Sequence, residues 1–282
     1  MPRGLAYPPR AFYFRAMTNP PKNWFENSIS QLNDPQDLRV WSIIVSLFGD
    51  LAQRPGERIS GSALTRIITP IGIKPEAVRV ALHRLRKDGW LDSTRSGRAS
   101  VHFLTEYGRS QSATVSPRIY ARTAPEQQPW HLLIAEGGQG SAALEESLLL
   151  PQYFAINRSC ALGFGPAPVR LPELLIVTAQ DLQVPDWLKT RLFPSDLSAS
   201  CAQLLRALEA ITLADEPSAF ESAALRTLIV HHWRRIVLRH PDLPPGFHPA
   251  GWPGEACRAK VFELLDQLPP PDPALLAQTA AE

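Results

Sequence analysis

One basic, amphipathic stretch at residues 59–108 constrains the fold of this chain more than any other feature. Within it, Pro75 and Glu76 predict the start of a helix, because proline suits the first helical position and a carboxylate suits the positive end of the helix dipole. Apolar residues then recur at helical spacing and predict one buried stripe: Val78, Ala81, Leu82 and Leu85. The positions beside this stripe are mostly cationic. A helix with this division is typical of the recognition helix of a helix-turn-helix.

The residues around this helix predict the rest of a winged helix-turn-helix. Before it, Ser60 or Ser62 caps a short helix that ends at a turn over residues 69–72. After it, residues 90–93 and 100–105 are predicted strands, since the second segment alternates apolar and polar side chains. The Gly-containing turn between these strands predicts a two-stranded wing with arginines at its tip.

The cations of the helix and the wing are the predicted DNA contacts: Lys74, Arg79, His83, Arg84, Arg86, Lys87, Arg95 and Arg98. Those on the helix are expected in the major groove, where arginine suits guanine O6 and N7. Those at the wing tip are expected to contact phosphate or the minor groove. The alternatives are a solvated helix face and a polar hairpin tip. Arg79, His83 and Arg86 have no acidic residue at i+4, which favours DNA contact.

The charge distribution supports a nucleic-acid module joined to a regulatory body. The net charge is only +2, but the first 124 residues hold 18 Lys and Arg against 9 Asp and Glu. The remaining residues hold 11 Lys and Arg against 18 Asp and Glu. A basic front and an acidic back are typical of a DNA-binding domain followed by a body with another task.

The rest of the chain predicts an α+β protein with three structured parts. The predicted parts are an arm without regular structure (1–33), the winged helix-turn-helix DNA-binding domain (34–108), a linker (109–128), a central small ferredoxin-like α+β domain (129–193), a C-terminal helical domain (194–268) and a frayed tail (269–282). Asp34 and Pro35 predict the start of the first winged-domain helix. Two alternatives stay open: Arg3, Arg10 and Arg15 could contact DNA, and residues 119–121 could form a short strand.

Metal, disulfide and membrane sites are not predicted. Cys160, Cys201 and Cys257 are far apart and form no CxxC, which favours a reducing cytoplasm. His231 and His232, considered with His240 as metal ligands, are neighbours on a predicted helix and therefore point to different faces, so packing is the preferred interpretation. No apolar run reaches the roughly 18 residues of a membrane span.

Catalytic and cofactor motifs are also missing from the sequence. It has no Gly-x-Ser-x-Gly, no phosphate loop and no Gly-x-Gly-x-x-Gly, so we expect neither an enzyme nor a cofactor. Residues 137–140, between a predicted strand and a helix, could hold a phosphate, although a plain loop is the preferred interpretation. Phe247 and Trp252 could line an acyl pocket or staple the last two helices together. The staple is preferred.

Several short sequence motifs give the chain a family resemblance. In the winged region they are Leu47-Phe48-Gly49-Asp50, Gly61-Ser62-Ala63-Leu64, Ala77-Val78-Arg79, Leu82-His83-Arg84-Leu85, Gly89-Trp90-Leu91, Gly97-Arg98 and Leu104-Thr105. In the C-terminal region they are Arg234-Arg235-Ile236, Asp242-Leu243-Pro244-Pro245 and Trp252-Pro253-Gly254. In these motifs the chain resembles the PaaX family, which are transcriptional repressors of phenylacetic acid catabolism. His102 departs from the family, which usually has an aromatic residue in that wing strand.

The resemblance implies a repressor of a catabolic operon with a specific mode of control. It implies a homodimer that binds a palindromic double-stranded operator and is released by an acyl-CoA thioester, phenylacetyl-CoA in the namesake. The effector site is not assigned by the resemblance. Two other classes remain as alternatives: a metal-dependent nuclease or other enzyme with a ferredoxin-like domain, and an adaptor that uses the wing to bind protein.

Overall fold

A helix precedes the winged region where the sequence predicts an arm without structure. The computed structural model describes residues 23–33, 39–96, 99–125, 129–136, 140–150, 152–168, 171–214 and 216–278. Within them α1 (Trp24–Leu32) is helical, so the prediction for this part of residues 1–33 is wrong. Burial of Ile29 and Leu32 against the C-terminal helices stabilises α1, a tertiary contact that the sequence pattern does not contain. Arg3, Arg10 and Arg15, like Asp34 and Pro35, lie outside the described residues.

The winged unit contains the predicted helices and hairpin together with a third strand. Its elements are α2 (Val40–Leu51), β1 (Ile59–Ser60), α3 (Gly61–Ile68), a 3-10 turn (Thr69–Ile71), α4 (Pro75–Lys87), β2 (Leu91–Ser96) and β3 (Ala99–Leu104). β1 joins the two-stranded wing, and the antiparallel sheet has the order β1-β3-β2. Ser60 caps α3 by accepting a hydrogen bond of 3.1 Å from the Ala63 N–H. Gly72 ends the 3-10 turn at φ +85°, a conformation that glycine adopts without strain.

The segment predicted as a linker begins with a helix. α5 (Glu106–Ile119) covers the first half of residues 109–128, and Ile119, a candidate strand residue, is its last helical residue. Thr105 caps α5, which packs against α2. Gly108 lets α5 lie close to the residue before β2, because a side chain there would collide with the Trp90 carbonyl. The linker prediction is therefore wrong up to residue 119, and the strand prediction is wrong for Ile119. The buried positions of α5 include the small residues Gly108 and Ser112, so its packed face does not look apolar in the sequence.

The central unit is a four-stranded antiparallel sheet with helices. Its elements are β4 (Trp130–Ala135), α6 (Ser141–Leu148), β5 (Tyr153–Asn157), β6 (Cys160–Phe164), β7 (Leu174–Ala179) and α7 (Asp186–Leu192). The sheet order is β5-β6-β4-β7. β4 and β5 are therefore parallel, with β6 between them, which is the split β-α-β arrangement. The α+β class is confirmed. The ferredoxin-like assignment stays a prediction, because the described residues between β6 and β7 contain no helix.

The C-terminal part is helical, as predicted, and extends further than predicted. Its helices are α8 (Ser195–Glu209), α9 (Ala219–Val237), α10 (Gly254–Gln267) and α11 (Pro273–Ala277). α9 starts with a capping box between Ser218 and Glu221. α11 lies in the predicted frayed tail, where Leu276 is fully buried and the helix packs against α3 and β1. The tail prediction is therefore wrong for residues 273–277.

A buried ion pair fastens the winged unit to the C-terminal helices. On α9, the Arg226 guanidinium donates two hydrogen bonds of 2.9 Å to the two carboxylate oxygens of Asp50 on α2. The Tyr120 hydroxyl donates to the same carboxylate at 2.7 Å. Burial and the neighbouring Asp50 raise the pKa of Tyr120, so this phenol stays a donor at neutral pH. α2 and α9 therefore meet through a charged contact inside the molecule.

Candidate nucleic-acid interface

The apolar stripe of α4 is buried and its cationic side is exposed. All four stripe residues, Val78, Ala81, Leu82 and Leu85, are buried. The predicted contacts at or on this helix, Lys74, Arg79, His83, Arg84, Arg86 and Lys87, are all exposed. Pro75 is the first helical residue, as predicted, and Lys74 is the N-cap. The structure therefore brings six of the eight predicted contact residues together on the exposed side of α4 and at its N-cap.

Two arginines of α4 have carboxylate partners on the same helix. Arg79 lies 2.9 Å from Glu76, and Arg84 lies 3.5 Å from Asp88. These side chains are 48% to 73% exposed, so solvent screens both pairs. The guanidinium of Arg84 also lies 5.6 Å from the centre of the Trp41 ring. Exposed pairs of this kind contribute little stability, so both arginines can exchange their carboxylate partner for a phosphate or a base edge.

A direct hydrogen bond joins the recognition helix to the wing. Arg86 donates from Nη1 to the Ser93 hydroxyl on β2 at 3.0 Å. Arg95 lies further along β2, exposed, and pairs in register with Ser100 on β3. Arg98 lies outside the described residues. The helix and the described part of the wing thus form one continuous basic surface.

His102 has a structural place inside the wing. The imidazole is 5% exposed, and its Nε2 lies 3.2 Å from the Ser100 hydroxyl. Burial first, and the nearby Arg86 second, lower the pKa of His102 below its ordinary value of 6.5. The ring is therefore neutral at physiological pH and fills the wing as an aromatic side chain does.

The sequence prediction missed two residues beside this surface. Val80 on α4 is 70% exposed, next to Arg79 and outside the buried stripe. Arg58 lies just before β1, with its guanidinium 5.0 Å from the centre of the Phe103 ring and a hydrogen bond of 3.5 Å to the Thr94 hydroxyl. The helical period identifies Val80 as an outward apolar residue. Nothing in the sequence places Arg58 next to the hairpin, because that contact depends on β1 joining the sheet.

Comparison with known proteins identifies the family of this chain. A family model described as PaaX-like protein matches residues 39–108, and one described as PaaX-like protein C-terminal domain matches residues 195–275. The transcriptional repressor PaaX of Escherichia coli (strain K12) is 30% identical over 256 residues, which cover 81% of this chain and 80% of that protein. The chain belongs to the PaaX family. The predicted resemblance is confirmed.

The PaaX family consists of transcriptional repressors rather than enzymes. The match to the model described as PaaX-like protein includes α2 to β3, the unit that carries the basic surface. An uncharacterized protein from Mycobacterium tuberculosis also resembles the chain in structure, with a TM-score of 0.48 and 21% identity. That alignment covers 80% of this chain and 95% of the other.

The histidines that raised the question of a metal have packing roles. His231 is 1% exposed, and its Nδ1 lies 3.1 Å from the Ser46 hydroxyl. Burial lowers the pKa of His231 to about 3 and that of His240 to about 4. Among the described residues no three His, Cys, Asp or Glu side chains form a group that could hold a metal ion.

The aromatic residues of the C-terminal loop pack against residues outside the last two helices, which the predicted staple did not include. Phe247 contacts Trp130 of the central sheet, with ring centres 4.6 Å apart, and Trp252 contacts Phe193 at 4.8 Å. The cavity beside Trp252 holds only about 10 Å³, which leaves no room for an acyl group. Residues 137–139 of the candidate phosphate turn lie outside the described residues. No described helix is long and apolar enough to cross a membrane.

Proposed function

We propose that this chain is a DNA-binding repressor of a catabolic operon that binds a duplex operator with α4 and the wing. The observation that carries this proposal is the exposed cationic side of α4, held against the wing by the Arg86–Ser93 hydrogen bond. An α-helix fits the width of the major groove, and the cations on the outer side of α4 complement the negative charge of the DNA phosphates. The proposal also rests on membership of a repressor family.

The proposed contacts divide into base reading and phosphate binding. Arg79 and His83, with Lys74, Arg84, Arg86 and Lys87 beside them, take the major groove, where each well-placed pair discriminates by about 1–3 kcal/mol. Arg95 and Arg98 take phosphate, which sets affinity and salt dependence rather than sequence choice. Val80 is an apolar side chain on the reading surface, suited to a thymine methyl group.

We propose a homodimer as the working form. A repressor that reads a palindrome places two recognition helices about 34–36 Å apart, one helical turn of DNA. Leu175 and Val177 support this proposal: they are 62% and 40% exposed on β7, an outer strand of the central sheet. Exposed apolar residues on an outer strand favour association. A cytoplasmic location follows from the proposed role.

We propose release from the operator by a small-molecule effector, with an acyl-CoA such as phenylacetyl-CoA as the first candidate. The family resemblance supports the effector class. An effector can act only by binding the DNA-competent and DNA-incompetent states with different affinity, and a full switch requires about 5.5 kcal/mol of difference.

The test starts by selecting an operator from random duplexes and footprinting it. The expected result for the wild-type protein is a palindromic footprint with half-sites one turn apart. Saturating phenylacetyl-CoA should weaken this footprint. Sedimentation of the protein–operator complex should give two chains per duplex. An adaptor that binds only protein would enrich no duplex. A footprint unchanged by the thioester would refute the effector and leave the DNA role standing.

A further inference from the structure

A short helix near the C-terminus lies on the winged unit. α11 packs against α3 and β1, and its residue Leu276 is fully buried in the same hydrophobic cluster as Ile59 of β1 and Leu64 of α3. Asp272 caps the helix by accepting a hydrogen bond of 2.8 Å from the Ala274 N–H. A helix of five residues is not stable by itself in water. Packing on the winged unit therefore holds α11 in place.

The segment that contains α11 is anchored at both ends. At its start, Leu268 is fully buried, and its carbonyl accepts a hydrogen bond of 2.6 Å from the Arg226 guanidinium on α9. At its end, the Gln278 carbonyl accepts a long hydrogen bond of 3.5 Å from the Ser62 hydroxyl on α3. We call residues 268–278 the tail strap, because they connect the C-terminal helices to the winged unit.

The tail strap reaches the wing through β1. The two residues of β1 pair with His102 and Val101 of β3, and the next residue of β3, Ser100, pairs with Arg95 on β2. Strands are usually about 3–10 residues long, and a hairpin by itself is only marginally stable. β1 therefore depends on the helices packed on it, which include α3 and α11. The tail strap supports the wing one residue pair away from Arg95.

The recognition helix has a different main support. α4, whose apolar stripe is buried, packs on α2 and on β2. α11 packs on α3 and β1 instead. A change in the tail strap should therefore move the wing while α4 keeps its place on α2.

The tail strap itself has no group that would bind DNA. Residues 268–278 contain no Lys or Arg, and their single charged residue, Asp272, is exposed. DNA phosphates attract cations and repel a carboxylate. An effect of the tail strap on operator affinity must therefore act through the elements that it supports.

We propose that Leu276 is a positioning residue for DNA binding. Its burial holds α11 against β1, and β1 holds the wing in the orientation in which Arg95 and Arg98 contact phosphate. This role rests on the proposed DNA-binding function. The hold on the wing is a property of the free protein and is tested separately. Base reading by α4 does not require the tail strap.

Anisotropy titrations with the selected operator at several salt concentrations test the positioning role. Leu276→Ala should weaken binding about tenfold at about 0.1 M salt and lower the slope of log K against log salt by about 1–2, since each lost phosphate contact lowers the slope by about 0.9. The preference for the operator over a shuffled duplex should change less than about twofold, because α4 stays in place.

The matched control is Leu208→Ala. Leu208 is also fully buried, but it lies on α8, which packs on α1, α9 and α10. This variant should lose stability as Leu276→Ala does and keep the wild-type salt slope. If Leu276→Ala folds poorly, a chain that stops after Pro271 provides the same comparison, because it lacks α11 and retains Leu268.

A double-mutant cycle separates positioning from general destabilisation. In the Arg95→Ala/Arg98→Ala background, Leu276→Ala should cause less than about a twofold further loss of affinity, because the contacts that it positions are already absent. A wild-type slope in both tail variants overturns the proposal. So does an equal loss of affinity with and without the wing arginines, or a loss of operator preference that matches the loss of affinity.

Hydrogen exchange without DNA tests the hold on the wing. Amides of β2 and β3 should exchange about tenfold faster in Leu276→Ala than in wild type, while those of α4 change less. Equal exchange of the wing in both proteins overturns the proposal. If wild type binds no duplex, the repressor function is refuted, and hydrogen exchange still decides whether the tail strap holds the wing.

Discussion

The buried ion pair between α2 and α9 gives the sharpest prediction about stability. In Asp50→Asn, one carboxylate oxygen becomes an NH₂ group that faces the Arg226 donors. The Asp50 side chain is 2% exposed and that of Arg226 is 10% exposed, so water does not replace the lost acceptor. Arg226 remains charged, because arginine does not lose its proton in proteins.

The magnitude follows from the contacts that are lost and kept. The two hydrogen bonds from Arg226 to Asp50 are charge-assisted, and each such bond contributes about 1.5–3 kcal/mol. Removing one partner of a buried pair destabilises by about 3–5 kcal/mol. Arg226 keeps its hydrogen bonds to the Leu265 and Leu268 carbonyls, at 3.1 and 2.6 Å. We therefore expect a loss of about 3–4 kcal/mol in the free energy of unfolding.

Urea unfolding followed by circular dichroism at pH 7 measures this loss. The matched control is Asp266→Asn, which removes the charge from an exposed bidentate pair with Arg122 and should leave the free energy of unfolding within experimental error. The double variant Asp50→Leu/Arg226→Met should be less destabilised than the sum of its single variants. Equal unfolding curves for Asp50→Asn and Asp266→Asn would refute the inference that this contact holds the two units together.

Three further predictions concern DNA binding and pH. Arg95→Ala should weaken binding to all duplexes alike and lower the slope of log K against log salt by about 1, as anisotropy titrations at several salt concentrations would show. Val80→Ala should reduce the preference for one thymine over deoxyuridine in the selected operator; an unchanged preference would exclude the methyl contact. Acidification should destabilise the fold, because His240, with its pKa of about 4 when folded, regains the ordinary value of 6.5 on unfolding, so the unfolded chain binds more protons between these values. The loss from pH 6.5 to 4 is about 3 kcal/mol, and urea unfolding of His240→Gln should show a flatter pH dependence.

The recognition helix could be predicted because one short segment contains all of its information. Val78, Ala81, Leu82 and Leu85 repeat at helical spacing, so the buried face and the exposed cations follow from the period alone. Pro75 fixes the start of the helix and Gly89, at φ +74°, lies just beyond its end. The hairpin follows in the same way from alternation and a turn.

The missed elements depend on contacts between distant segments. In α5 the buried positions are Gly108, Ser112 and Ile119, so the packed face looks like a polar loop. In α11 a single residue, Leu276, is fully buried, and the helix packs against α3 and β1, more than 200 residues away in the chain. α1 packs against α8 and α9, a contact between distant segments that no local pattern indicates.

The most direct test of the account is fluorescence anisotropy with the selected operator and a shuffled duplex of the same composition. Wild type should prefer the operator, and Arg79→Ala should reduce that preference by about 1–3 kcal/mol while leaving binding to the shuffled duplex less affected. Arg122→Ala, a substitution outside the proposed surface, should bind both duplexes as wild type does. Equal binding of both duplexes by wild type, or no binding at low salt, would contradict the claim that α4 and the wing read DNA.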